Sequence, residues 1–305
     1  MANTLAGIDY ENVAREGMSA FVDGLIPINA FTTDLSADIA DQGTVVKTRI
    51  VPAAGTIGDL TDDHSGNYEN AVQDQTLSAV SVTLGSEPVE AFGFTDKEYM
   101  QIASGVMSDT LVRMIQQHGY GIANKILDTL FAAVDTDFTA GVTVAATNFD
   151  GDDMGAVRKD WVGNAGTMKP MPACVLDVDY YEALANDNQI ADQSASGLNV
   201  LQTGEIPVCR GFRMIEAPSL SAVAVNNTVG FACSPDAMAI AMRGVATQAE
   251  DEFKHFEVMQ DDQTGVVLTY AVWFTRGTRK LNHSFEAHWG LANGKTTSLR
   301  RITSA

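Results

Sequence analysis

The chain has 305 residues, 45% of them hydrophobic, which is enough for one extended core or two smaller ones. Its formal net charge of −20 repels a phosphate backbone and an anionic membrane surface, which disfavours binding to either through a basic patch. Residues 1–150 carry 21 acidic and 6 basic side chains, whereas residues 276–305 carry six basic side chains and a single acidic one, Glu286. This distribution allows neighbouring copies to attract each other through opposite ends; a solvated basic tail is the alternative interpretation.

Cysteine usage and the N-terminal composition indicate the compartment. Three cysteines, Cys174, Cys209 and Cys233, lie far apart and cannot form a closed disulfide framework, because their number is odd. We expect each to be a small buried residue in a reducing compartment. The N-terminal residues lack the apolar core of a signal peptide, and no run of about 18 apolar residues occurs. The sequence therefore predicts a soluble protein that is not exported.

The first third of the chain predicts a polar arm followed by a long hairpin. Residues 1–43 contain one weakly amphipathic helix around residues 10–21 and too little apolar material to fold alone, so we expect this segment to lie on another surface. Alternating apolar residues predict strands over 44–53 and 78–84. The 24 residues between them are mostly small, polar or acidic, which indicates a projecting loop or, alternatively, a disordered one.

A long helix is predicted next. Thr95 with Glu98 three residues later forms a capping box, and one face stays apolar as far as Val134. Forty residues at about 1.5 Å each would extend about 60 Å. Glycines favour a bend or a break within this segment, at Gly105, Gly119 and Gly121.

The remaining residues predict a mixed α+β body without a regular βαβ alternation. Local patterns predict a helix over 154–165, a buried strand over 172–177, a helix over 178–187, a hairpin over 204–218, a strand over 229–233 and a strand pair over 253–277. In the hairpin the turn is Arg210-Gly211. After residue 233, Ser234 and Pro235 are favourable helix-start residues and predict a following helix.

Metal-binding patterns are weak. The five histidines are scattered, and the spacing of five between His283 and His288 suits neither a helix face nor a strand face. Asp150, Asp152 and Asp153 resemble part of a calcium loop but lack its closing glutamate, so a solvated helix N-terminus is the preferred interpretation. We expect no metal and no other cofactor.

Catalytic patterns are equally weak. The chain contains no G-x-S-x-G, phosphate-binding or dinucleotide-binding motif. Asp62, Asp63 and His64 could form an acid/base cluster, but they lie in the polar loop, where burial would not tune their pKa values. The sequence predicts a protein that is not an enzyme.

Three sequence segments, taken in chain order, resemble parts of a known protein family. Residues 34–53, "DLSADIADQGTVVKTRIVPA", resemble an arm that leads into the first strand of an extended hairpin. Residues 82–101, "VTLGSEPVEAFGFTDKEYMQ", resemble the return strand entering a spine helix. Residues 204–218 with the later "VGFACSPDAMAIAM" resemble the body of the same subunit. Together they resemble the major capsid protein of tailed double-stranded DNA bacteriophages, which has the Hong Kong 97-type, or Johnson, fold.

The resemblance implies a domain organisation and a function. The implied parts are an N-terminal arm (1–43), an extended loop hairpin with its strand bases (44–92), the spine helix and start of the peripheral domain (93–150), a mainly axial domain (151–265), and a return to the peripheral domain with the C-terminal tail (266–305). The implied function is self-assembly into pentamers and hexamers of an icosahedral shell. That shell would enclose packaged double-stranded DNA without sequence-specific binding, in a virion capsid assembled in the bacterial host cytoplasm. Arm and loop would then owe their order to neighbouring copies.

Two departures from relatives of this family shape the expected partners. The arm-like sequence starts close to Met1, so we expect a separate scaffolding protein, together with a portal and a decoration protein. No lysine occurs between Lys47 and Lys97, which excludes a covalent crosslink from a loop lysine. The expected noncovalent inter-subunit residues are Asp59, Asp62, Asp63, Glu69, Arg276, Arg279 and Lys280. The expected contacts to the interior, DNA or scaffold are Arg300 and Arg301.

Three other interpretations stay open. An encapsulin-type nanocompartment shares the fold and would carry a protein cargo. A secreted fibre protein is disfavoured by the long helix and the missing signal peptide. A hydrolase with an unrecognised carboxylate site would need buried, interacting carboxylates.

Overall fold

The structure is a computed structural model that describes residues 10–41, 43–50, 78–95, 97–98, 108–145, 149–164, 168, 171–187, 190, 204–218, 220–245, 247 and 252–305. Helices are α1 Tyr10–Gly24, α2 Ser108–Asp137, α3 Gly151–Asn164, α4 Val178–Ala185 and α5 Leu220–Val223. Strands are β1 Thr32–Ala40, β2 Val45–Ile50, β3 Ser78–Thr83, β4 Val89–Thr95, β5 Gly141–Val144, β6 Ala173–Leu176, β7 Val208–Cys209, β8 Phe212–Glu216, β9 Thr228–Cys233, β10 Met238–Val245, β11 His255–Gln260, β12 Val267–Thr275, β13 Lys280–Glu286, β14 His288–Asn293 and β15 Leu299–Ser304. Short 3₁₀ turns occupy Ile26–Ala30, Pro235–Ala237 and Thr296–Ser298.

Helix α1 is part of the main core of its own chain. Phe21 is completely buried, and Val13 is 4% exposed. Both belong to one hydrophobic cluster that joins α1, α2, the four-stranded sheet and part of the six-stranded sheet. The expectation that the arm is ordered by neighbouring copies is therefore wrong for residues 10–40. Their apolar side chains pack on the body of the same subunit, and β1 pairs with β10.

Helix α2 starts after a confirmed capping box. The backbone N–H of Thr95 donates to Glu98 Oε2 at 2.8 Å, and the Glu98 N–H donates back to Thr95 Oγ1 at 3.4 Å. The described helix then runs unbroken from residue 108 to 137, so neither Gly119 nor Gly121 breaks it, and the alternative of a bend stays a prediction. Gly119 instead lies where α1 crosses, because a Cβ there would collide with the carbonyl of Gly17. Gly105 lies outside the described residues.

The predicted helix after Ser234 is a strand. Ser234 and Pro235 start only a three-residue 3₁₀ turn, and β10 follows it directly. Along β10, Met238, Ile240 and Met242 face the main core, while Ala239 and Ala241 pack in a separate small cluster beside the hairpin. Successive side chains of β10 point to opposite faces of the strand, and both faces are buried. Pairing with β1 and β14 outweighs the local helix-start signals.

Three sheets and a hairpin complete the body. The three-stranded sheet has the order β1-β10-β14, the four-stranded sheet β11-β12-β13-β4, and the six-stranded sheet β5-β15-β9-β6-β8-β7. Helices α3 and α4 contribute to a second core with the six-stranded sheet, around Trp161, Tyr180 and Phe212. The predicted turn Arg210-Gly211 is confirmed, with φ of 50° and 92° at the two residues. The mixed α+β class is confirmed.

Candidate assembly surfaces

The base of the long hairpin is clamped by one carboxylate. The two strands predicted for the hairpin, β2 and β3, pair in antiparallel register, with Val46 opposite Val82. Asp34 of β1 accepts from Arg243 of β10 at 2.6 Å through Oδ1 and from Thr48 of β2 at 3.2 Å through Oδ2. A second Arg243 nitrogen donates to the Asp34 carbonyl at 2.7 Å. The clamp joins the described part of the arm, the three-stranded sheet and the hairpin.

The hairpin also rests on strand β14. The backbone N–H of Trp289 donates to Ser86 at 2.9 Å, and the Ser86 N–H donates back at 3.2 Å. A Cβ at Gly290 would collide with the carbonyl of Thr83, so glycine permits β3 to lie directly on β14. Strand β14 therefore holds the base of the hairpin in place. Its connecting residues, 51–77, lie outside the described residues, together with the predicted site residues Asp59, Asp62, Asp63, His64 and Glu69.

The predicted basic residues meet at one end of the four-stranded sheet. Arg276, Arg279 and Lys280 follow β12 at its turn into β13, and all three are exposed. Lys280 pairs across the sheet with Thr95. Phe274 beside them is 47% exposed, which is unusual for a large aromatic side chain. We call Phe274, Arg276, Arg279 and Lys280 the basic end.

An acidic end lies at the opposite end of the same strand, and sequence analysis missed it. Asp261 and Asp262 form the turn between β11 and β12. Hydrogen bonds from the Thr264 hydroxyl and backbone N–H, both at 2.7 Å, lower the pKa of Asp261 and hold its carboxylate in place. The signal was available, since a nine-residue apolar strand with Asp-Asp before it and two arginines and a lysine after it is visible in the sequence.

Arg301 and Arg300 both turn toward their own subunit. Arg301 is 9% exposed, and its Nη1 donates to the Asp135 carbonyl at 2.7 Å and to the Asp135 carboxylate at 3.1 Å. Arg300 Nε lies 3.6 Å from a carboxylate oxygen of Asp160, with 12% of the arginine side chain exposed. These contacts argue against Arg301 as a phosphate ligand, because its guanidinium is engaged inside the subunit.

Three of the scattered histidines converge around one aromatic cluster. The ring of Phe92 stacks on His118 at 4.4 Å and on His283 at 5.1 Å, measured between centroids. His283 is 1% exposed, and its Nδ1 lies 2.7 Å from the Tyr270 hydroxyl. His255 lies 5.8 Å from the Tyr270 ring. Burial, with a smaller contribution from the charge of Lys254, lowers the pKa of His283 to about 4.

The aspartates around residue 150 lie at the start of helix α3. The Asp150 carboxylate accepts from the backbone N–H groups of Asp152 and Asp153, at 2.9 and 3.0 Å, as expected at a helix N-terminus. Among the described residues no group of three histidine, cysteine, aspartate or glutamate side chains is placed to hold a metal ion. Within the same residues no helix combines the length and the apolar character needed to span a membrane.

Comparison with solved structures identifies the fold. The capsid of cyanophage P-SCSP1u matches with a TM-score of 0.56 and 12% identity, over 92% of this chain and 88% of that one. The mature capsid of bacteriophage PhiM1 matches at 0.52 and 8%, over 90% and 86%. A virus-like particle from Pyrococcus furiosus matches at 0.55 and 9%, over 97% and 100%. The chain has a capsid-protein fold. No family model matches it, and no curated protein matches it in sequence.

The matches to solved capsid structures confirm the fold that the sequence predicted. They also confirm the resemblance to phage capsid proteins. The match covers about nine-tenths of the chain. The boundaries and names of the peripheral and axial domains remain predictions. Among the described residues, the base of the hairpin, the basic end and the acidic end are candidate assembly surfaces.

Proposed function

We propose that this chain is the major capsid protein of a tailed double-stranded DNA bacteriophage. It would assemble with itself into pentamers and hexamers, and these would form an icosahedral shell around the packaged genome. The observation that carries the proposal is the shared fold, which extends over about nine-tenths of both this chain and the cyanophage capsid chain.

The anchored base of the hairpin supports self-assembly. The Asp34 clamp and the hydrogen bonds to Trp289 of β14 hold the base of the hairpin in place. The two strands of the hairpin are then connected by 27 residues. A long polar connection on a rigid base gains stability when it lies on another surface. In the proposed shell that surface is a neighbouring copy, and the loop acids Asp59, Asp62, Asp63 and Glu69 would contact it.

The charge of the chain supports enclosure of DNA without adhesion. With a net charge of −20, an inner wall built from this chain would repel the phosphate backbone instead of binding it. The proposed role is structural and not catalytic. The proposed further partners are a separate scaffolding protein, a portal and a decoration protein, and the proposed location is the virion capsid, assembled in the host cytoplasm.

A second candidate function is a closed shell without a genome, of the encapsulin type. The match to the Pyrococcus furiosus virus-like particle favours it, because that match covers all of the other chain and 97% of this one. The two candidates differ in the contents of the shell and in its diameter. They share the requirement that the chain assembles with itself.

The test is assembly of the purified chain, alone and co-expressed with candidate scaffolding proteins from the same genomic neighbourhood. Sedimentation separates subunits, rings and shells, and negative-stain electron microscopy measures shell diameter. Nuclease-protected DNA in mature particles would support the phage capsid, whereas a protein cargo in a small shell would support the nanocompartment. A monodisperse monomer under every condition would contradict both and return attention to Asp62, Asp63 and His64.

A matched variant ties assembly to the hairpin. Replacing residues 54–77 with a short Gly-Ser turn leaves the strand register of β2 and β3 and the Asp34 clamp intact. We expect this variant to fold, with an unchanged circular dichroism spectrum, and to stop before closed shells. Normal shells from the variant would show that the connection does not hold neighbouring copies together.

A further inference from the structure

The four-stranded sheet carries opposite charges at its two ends. Strand β12 has nine residues and spans about 30 Å at ~3.3 Å per residue. Asp261 and Asp262 precede it, and Arg276, Arg279 and Lys280 follow it. Close to the basic end, the Glu98 carboxylate is committed to Thr95 in the capping box. The charge separation is therefore built on a rigid strand whose central residues are fully buried.

A groove adjoins the acidic end. It lies between α1 and β11 and has a volume of about 670 Å³. Its charged lining consists of five acidic residues and one basic residue, namely Glu11, Asp23, Glu257, Asp261, Asp262 and Arg15. Met18, Val22 and Met259 supply apolar surface between these charges. The groove thus combines a negative rim with an apolar floor.

The basic end has the complementary composition. Its three cations follow the half-exposed Phe274 at the turn between β12 and β13. An aromatic anchor that enters an apolar floor while cations meet carboxylates at the rim is the arrangement found at well-packed protein interfaces. Both partners in this arrangement are on the same chain but at opposite ends of one sheet, so a subunit cannot satisfy itself.

We propose that the basic end of one copy docks in the acidic groove of the next copy, head to tail. This inference rests on the proposed self-assembly and names the contact that would carry part of it. A reciprocal twofold contact would occupy both ends of both copies within a closed dimer, and assembly through this contact would stop there. A head-to-tail contact leaves one free end at each step, so it propagates around a ring or along a chain of subunits.

The test is a charge-reversal cycle in the full-length chain. One variant carries R276E and R279E, a second carries E257K and D262K, and a third carries all four. We expect each pair of reversals to slow shell assembly roughly tenfold or more at low salt, and the four together to restore most of the rate. Light scattering measures the rate and electron microscopy the product. K125E with K159E matches the first variant in net charge at exposed sites elsewhere and should assemble normally.

Further outcomes separate this contact from others. Assembly of both reversed pairs at the wild-type rate would overturn the inference while leaving the capsid function standing. If D62K and D63K restored assembly of the R276E and R279E variant, and the groove reversals did not, the basic end would contact the hairpin loop. That result would also overturn the inference. A third outcome is that E257K and D262K abolish only the assembly that depends on scaffolding protein, while R276E and R279E have no effect. That result would place a basic segment of another protein in the groove and would overturn the inference. Absence of shells from the wild-type chain would instead contradict the proposed function. Circular dichroism checks that every variant is folded.

Discussion

Arg301 closes the C-terminal end of α2 by donating to both the carbonyl and the carboxylate of Asp135. The carbonyl is one of the last four of the helix, which have no intrahelical partner. The same carboxylate accepts from the backbone N–H groups of Val225 and Asn226, both at 2.9 Å, and from the Thr228 hydroxyl. Burial alone would raise the pKa of Asp135, but these hydrogen bonds and the arginine charge lower it overall. One buried pair thus joins α2, β9 and β15.

Removing one member of this pair should destabilise the subunit strongly. For Arg301→Met we expect a loss of about 3–5 kcal/mol in the free energy of unfolding, because the Asp135 carboxylate stays buried without its cation. Urea unfolding of the unassembled subunit measures it. Arg276→Met, at an exposed site, should change the value by no more than about 0.5 kcal/mol. A near-neutral Arg301→Met together with reduced DNA retention would instead restore Arg301 as a phosphate contact.

Two glycines of α2 should respond in opposite directions to alanine. At Gly119 a Cβ would collide with the Gly17 carbonyl and come within 3.1 Å of Ala20, both on α1. We therefore expect Gly119→Ala to force the helices apart, with a loss of about 1–3 kcal/mol typical of overpacking. Thermal unfolding by circular dichroism measures it, and unchanged stability would show that α1 moves freely on α2.

The matched control lies two residues away on the same helix. At Gly121 the nearest atom to a new Cβ is a Glu90 carbon at 4.0 Å, which is ordinary contact. Alanine favours the helix over glycine by about 1 kcal/mol, so we expect Gly121→Ala to raise the free energy of unfolding by up to that amount. Equal destabilisation by the two substitutions would show a general intolerance of α2 and not a crossing point at Gly119.

Local signals predicted several of the helices and strands, but they did not predict β13, β14 and β15, and they missed the contacts between distant residues. The capping box at Thr95 and the turn at Arg210 were predictable because each depends on residues within a few positions. Strand β10 was mistaken for a helix, since its start signals are local whereas its pairing with β1 and β14 is not. The Asp34–Arg243 pair joins residues 209 positions apart, and no local pattern predicts it. The groove between α1 and β11 likewise exists only after folding, because its two walls are far apart in the chain.

The three cysteines should be unreactive in the folded subunit. Cys174 and Cys233 are completely buried, and burial raises the pKa of both thiols; it raises that of Cys209 to about 11. Since the thiolate is the reactive form, we expect slow labelling by a thiol reagent at pH 8 and rapid labelling of all three after denaturation. Mass spectrometry counts the labels. Fast labelling of any cysteine under native conditions would contradict the burial of that residue.

The buried imidazole of His283 makes stability depend on pH. Its pKa is about 4 in the folded chain against 6.5 for an ordinary histidine, because burial disfavours the imidazolium. Between these values the unfolded chain binds a proton that the folded chain does not bind. The free energy of unfolding therefore falls as the pH drops from about 6.5 to about 4. The full difference corresponds to about 3 kcal/mol, with the contribution completely present above the upper value.

Replacing the imidazole should remove this window of pH dependence. The double variant His283→Phe with Tyr270→Phe keeps a ring against Phe92 and leaves neither member of the 2.7 Å hydrogen bond unpaired. We expect urea unfolding at pH 4.5, 5.5 and 7.5 to show the stability of the wild-type subunit falling relative to that of the variant as the pH drops. Taking the difference cancels the carboxylates, including Asp135, because both proteins contain them. Tyr270→Phe alone retains the histidine and should keep the pH dependence. Parallel curves for wild type and double variant would show that His283 does not titrate differently in the two states, and would contradict its burial in the aromatic cluster.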